Sequence, residues 1–148
     1  MAISTIPAAS AGKTRYVVTL LSGTSWTVPT GCTYVNATLI GGGGGSNTGI
    51  QDAVGSQSLG GEIIVSNVAT TPGASITYAI GAGGAASGAQ GGTTTFVGAT
   101  SAVGGFGLTA VGQVGTRGLS AVNGASWGNS TQAGAVGGQG KIELEYWV

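Results

Sequence analysis

The sequence predicts an all-β fold, a small antiparallel β-sandwich-like framework carrying long glycine-rich loops. Three observations predict it. Short β-branched or alternating apolar runs recur from "YVVTLL" (16–21) to "KIELEYWV" (141–148). No segment spaces its apolar residues helically without glycine intervening. Proline and glycine mark turns between runs, at "PTG" (29–31) and "TPGA" (71–74).

The elements follow in order. Residues 1–15 read as an extended arm, with "AISTIPAASAG" (2–12) small, uncharged and broken by Pro7. Such an arm suits a linker or a strand added to a neighbour, and Ile3, Ile6 and Pro7 are its candidate anchoring residues. Residues 16–148 form the body. "YVVTLL" is the first strand and "SWTV" (25–28) the second, followed by a turn that places Pro29 second and Gly31 fourth in a type I arrangement. "TYVNATLI" (33–40) alternates, with Val35, Ala37 and Leu39 on one face and Tyr34, Asn36, Thr38 and Ile40 on the other. "EIIVSNVA" (62–69) is a strand with a bend expected at Ser66–Asn67, and a type II turn at Pro72–Gly73 leads into "SITYAI" (75–80). "TTTFV" (93–97) and "TSAV" (100–103) are short strands. The last strand, "KIELEYWV", puts Ile142, Leu144, Tyr146 and Val148 inward and Lys141, Glu143, Glu145 and Trp147 outward.

Between the strands lie glycine-rich stretches at 41–61, 81–92, 104–118 and 124–140, with no fixed repeat period. Loops this long are uncommon and usually functional. Two readings stay open. The loops are mobile spacers, as glycine-rich linkers usually are. Alternatively they pack as extended helices with three residues per turn, where absent side chains let backbones approach and pair. Apolar residues among the glycines, such as Leu59, Phe106, Leu108 and Trp127, favour packing. The candidate packed glycines are Gly41, Gly42, Gly43, Gly44 and Gly45, then Gly83, Gly84, Gly137 and Gly138.

Composition narrows function. Glycine supplies 32 of 148 residues, and only 5% are charged, against about 25% in an ordinary soluble domain. Four bases balance four acids, so no basic patch exists to hold nucleic acid or an anionic membrane. A surface so short of charge invites burial against copies of itself or another protein. Cys32 is the lone cysteine, which suits synthesis in a reducing cytoplasm. No signal peptide or 18-residue apolar span occurs, so neither standard secretion nor membrane insertion is expected.

Motifs that resemble chemistry lack their partners. "GAGGAA" (81–86) and "GFGLTA" (105–110) match the dinucleotide fingerprint, but that fingerprint works only at the start of a helix, and "SGAQGGTTTF" cannot be one. "GASWG" (124–128) places Ser126 at a nucleophile elbow, yet the chain contains no histidine to serve as base. Glu143 and Glu145 alternate on one strand and read as a solvated face, not a carboxylate pair across a cleft. One cysteine and scattered acids make no zinc cage. The expectation is a protein that is not an enzyme and uses no cofactor or metal. Among the aromatics, Trp26, Tyr34, Tyr78, Phe96 and Tyr146 lie in strands and are expected in the core. Phe106 and Trp127 lie in glycine loops, where they either pack between loops or contact a host surface, for example by stacking on a sugar.

Taken together, "SWTVPTGCTYVNATLIGGGGG", "TPGASITYAIGAGG", "GGTTTF" and "GGQGKIELEYWV" resemble the glycine-rich domain of bacteriophage tail fibres and other virion surface proteins over about residues 16–148. The resemblance implies a structural protein of the phage particle, made in the bacterial cytoplasm and exposed on the virion. It implies polyglycine II bundles whose distal loops touch the host, and a homo-oligomer, usually a trimer. The arm would then dock on other virion proteins, and the partner at the tip would be a host receptor or glycan. Capsid decoration or a head fibre is the alternative, since the chain has no fibre shaft.

Overall fold

The computed structural model describes residues 12–45, 61–107 and 136–148. The fold is all-β. Among the described residues there are seven strands and no helix: β1 (Arg15–Leu20), β2 (Ser25–Thr27), β3 (Tyr34–Ile40), β4 (Ile63–Ala69), β5 (Ser75–Ala79), β6 (Thr95–Phe96) and β7 (Lys141–Trp147). They build two sheets, one in the order β1-β7-β3-β4 and one in the order β2-β5-β6, with every pairing antiparallel. Each run is β-branched or alternating, so pairing buries one face and leaves the other to solvent.

The terminal strand β7 is central in its sheet. It pairs with β1 from Leu20↔Ile142 to Arg15↔Trp147 and with β3 from Ile40↔Lys141 to Val35↔Tyr146. Its inward residues Ile142, Leu144 and Tyr146 join Val35, Ala37, Leu39 and Val68 in the core. Trp26, Tyr78 and Phe96 enter that core from the second sheet. The ring of Trp26 lies 5.6 Å from Tyr146 and 6.2 Å from Phe96, and Tyr146 stacks on Tyr16 at 5.5 Å. This chain of rings crosses the sandwich, each contact adding about 0.5–1.5 kcal/mol beyond burial.

Several expectations need correction. Tyr34 is 41% exposed and lies outside the core, as its odd phase relative to Val35 requires. The strand over Ile63–Ala69 runs unbroken, with Ser66 and Asn67 paired to Ala37 and Asn36. The "TSAV" run forms only an isolated bridge, Ala102 to Thr94. The turn after β2 is shifted by one: the Cys32 N–H donates to the Pro29 carbonyl (3.1 Å), placing Gly31 third. At φ +85° that position needs a glycine, which a type II turn demands and a type I turn does not. At 71–74 the turn is as expected, with Ala74 N–H donating to Thr71 and Gly73 at φ +79°.

Candidate functional site

At one end of the sandwich β3 ends, β7 begins, and glycine segments gather. The segment Gly41–Gly45 is buried throughout. Its amides leave in different directions: Gly41 donates to Glu62 (3.0 Å), Gly42 to Gly92 (2.9 Å), Gly43 to Gly138 (2.7 Å) and Gly45 to Ala89 (2.9 Å). Gly42 and Gly45, three residues apart, reach the same neighbouring segment. Carbonyls do likewise, with Gly42 accepting from Gly105 and Gly43 from Gly84, both at 2.8 Å. A strand pairs to two sides; this backbone pairs around its whole circumference, as an extended helix with three residues per turn can.

The surrounding segments also pair with one another. Gly92 donates to Ala82 (2.7 Å), Gly91 to Gly105 (2.9 Å), Gly137 to Gly84 (2.8 Å) and Gly140 to Gly81 (2.8 Å). Such bonds repay the entropy of ordering glycine, and they require close approach. A Cβ built on Gly41, Gly42, Gly44, Gly45, Gly83, Gly84 or Gly137 would come under 3.0 Å from a neighbour's backbone. Gly43 and Gly138 are held by the hydrogen bond between them. The glycines singled out from sequence are thus brought into one bundle.

Side chains leave the bundle at every third residue. Gly81 and Gly84 are buried while Ala82 and Ala85 are exposed, and Gly137 and Gly140 are buried while Val136 and Gln139 are exposed. In 103–107 the buried pair is Gly104 and Gly105, and the Phe106 ring stands 44% exposed on a segment whose backbone is packed. Trp127, Ser126, and the arm residues Ile3, Ile6 and Pro7 lie outside the described residues.

Two side chains tie the bundle to the sandwich. Thr94, fully buried, donates through its hydroxyl to Ile40 (2.7 Å) and accepts from the Gly81 N–H (2.9 Å). Glu62 accepts the Val103 N–H on its carboxylate (3.1 Å) while its own N–H donates to the Val103 carbonyl (2.8 Å). Neither role was legible in the sequence.

A second exposed patch lies on the outer face of the four-stranded sheet. Tyr34 and Trp147 pair across strands with rings 6.0 Å apart; Arg15, in register with Trp147, reaches diagonally to an ion pair with Glu145, and Asn67 donates to the Asn36 side chain (2.8 Å). Opposed polar and aromatic pairs of this kind stabilise a sheet. The exposed Tyr34 ring in this patch is what the expectation of a buried Tyr34 missed.

Among the described residues no three of His, Cys, Asp and Glu cluster. The "GAGGAA" run is an extended bundle segment, and no helix follows it among the described residues. Cys32 is buried, its thiol near the Tyr34 carbonyl (3.3 Å). Burial pushes the Tyr146 hydroxyl above its ordinary value of 10.0, with nearby Cys32 and Tyr16 adding to the shift.

The model of the glycine-rich domain matches residues 19–144, and the chain belongs to that family. No curated protein matches the chain.

Proposed function

We propose that this protein is a non-enzymatic structural component of a bacteriophage particle, exposed at the virion surface, where it acts in a tail fibre or fibre tip during host attachment. The observation that carries this reading is the exposed Phe106 ring on a bundle closed by its own backbone. An aromatic ring held out from a rigid, uncharged lattice suits stacking on a sugar or an apolar receptor surface. Support comes also from the resemblance of the strand, turn and glycine order to phage fibre domains. Residues 1–15 would anchor the body to neighbouring virion proteins, and the protein would act as a homo-oligomer without cofactor. The test is adsorption: particles carrying Phe106→Ala should assemble normally and bind host cells several-fold more slowly. Unchanged adsorption would argue against a host contact at this ring. Counting copies per particle separates the two virion roles, since a few tens suits a fibre and hundreds suits capsid decoration.

A further inference from the structure

We infer that the open edge of β4 pairs with the same edge of a second copy, antiparallel about a two-fold axis at Ser66. β4 ends the four-stranded sheet. The bonds Thr70 N–H to Thr33 (2.9 Å) and Gly41 N–H to Glu62 (3.0 Å) set the phase of its pairing with β3. In that phase Val68, Ser66 and Ile64 exchange bonds with β3, and alternation turns the backbone groups of Ile63, Val65, Asn67 and Ala69 outward. Among the described residues no backbone group pairs with this edge.

Nothing in the strand guards it. "IIVSNVA" has no charge, no proline and four β-branched apolar residues, and Val65 is 70% exposed. Isolated sheet edges normally carry charge, proline or a bulge against uncontrolled pairing. The other edge follows that rule, since β1 itself carries Arg15. A self-pairing of β4 sets no like charges opposite each other.

The two-fold at Ser66 uses every outward group. Ile63 lies opposite Ala69 of the second copy, and Val65 opposite its Asn67, so four residues from each chain exchange bonds. The result is one eight-stranded sheet ending in the two guarded β1 edges, which stops further growth. Copy number is then even, where the fibre resemblance implies three. This inference does not depend on the virion reading.

Sedimentation of the full chain tests it. The wild type should sediment as a dimer at tens of micromolar, and Val65→Lys as a monomer with an unchanged circular dichroism spectrum. Register is read by cross-linking, which also serves if that variant misfolds. Under mild oxidation an equimolar mixture of Val65→Cys and Asn67→Cys chains should give several-fold more disulfide dimer than either alone. A wild-type monomer or trimer, a dimer that Val65→Lys leaves intact, or equal cross-linking in all samples would overturn the inference.

Discussion

The Thr94 hydroxyl and the Ile40 carbonyl lie 2.7 Å apart at the junction of sandwich and bundle, and the same hydroxyl receives the Gly81 N–H at 2.9 Å. Ile40 ends β3, and Gly81 follows the strand pair of the other sheet, so one side chain joins both sheets where their glycine segments begin. Thr94→Val keeps the shape and removes the hydroxyl's hydrogen bonds to both buried backbone groups. The expected loss is about 2–4 kcal/mol of unfolding free energy. Thr94→Ser keeps the hydroxyl and should cost about 1 kcal/mol through the lost methyl. Urea denaturation of both variants checks this; equal losses would show that packing, not the hydrogen bonds, matters at this site.

Ordering of the bundle makes a separate prediction about exchange. The amides of Gly41, Gly42, Gly43 and Gly45 each donate to a neighbouring segment, and their residues are buried. They should exchange with solvent about as slowly as the amides of β3, since opening any one requires several segments to separate. Exchange of these four at the rate of an open chain would show a bundle that is not held in solution.

The strands were legible because their signal is local. "KIELEYWV" alternates strictly, and its inward residues are those its alternation places there. Tyr34 was misplaced because an aromatic residue in a strand was assigned to the core by type and not by phase. The bundle left a signal that a search for fixed repeats overlooks. "GAGGA" (81–85) keeps its side chains at 82 and 85, and "VGGQG" at 136 and 139, in step with a three-residue helix. Thr94 was illegible, since its partners Ile40 and Gly81 are 54 and 13 residues away.

Tyr146 links stability to alkaline pH. Its ring stands between those of Tyr16 and Trp26, and burial first, then Cys32 and Tyr16, raises its pKa above 10.0. The folded state therefore holds this proton more tightly than the unfolded one. The resulting stability is complete below pH 10.0 and is lost as pH rises through the folded value. Unfolding free energy should fall more steeply above that point in the wild type than in Tyr146→Phe. Parallel curves for the two proteins would show that Tyr146 does not contribute to the alkaline loss.

The sign of a glycine substitution decides what the glycine segments are. In a mobile loop, Gly→Ala is near neutral or stabilises by up to about 1 kcal/mol, since no native clash opposes the restriction of the unfolded chain. In the bundle the added methyl meets backbone: Ala85 at Gly45, Gly91 at Gly104 and Gly137 at Gly83, each under 3.0 Å. Backbone bonded on several sides cannot turn aside as a side chain can, so the cost should reach the upper end of overpacking, about 3 kcal/mol. None of these three glycines is among those at positive φ, so strain of the new residue does not enter. Ala82→Val is the matched control, since Ala82 is exposed on the same lattice and its extra methyls meet solvent. Thermal unfolding should therefore fall sharply for Gly45→Ala and Gly104→Ala and change little for Ala82→Val. A stabilised Gly45→Ala would reverse the sign and return the segment to the class of flexible spacers.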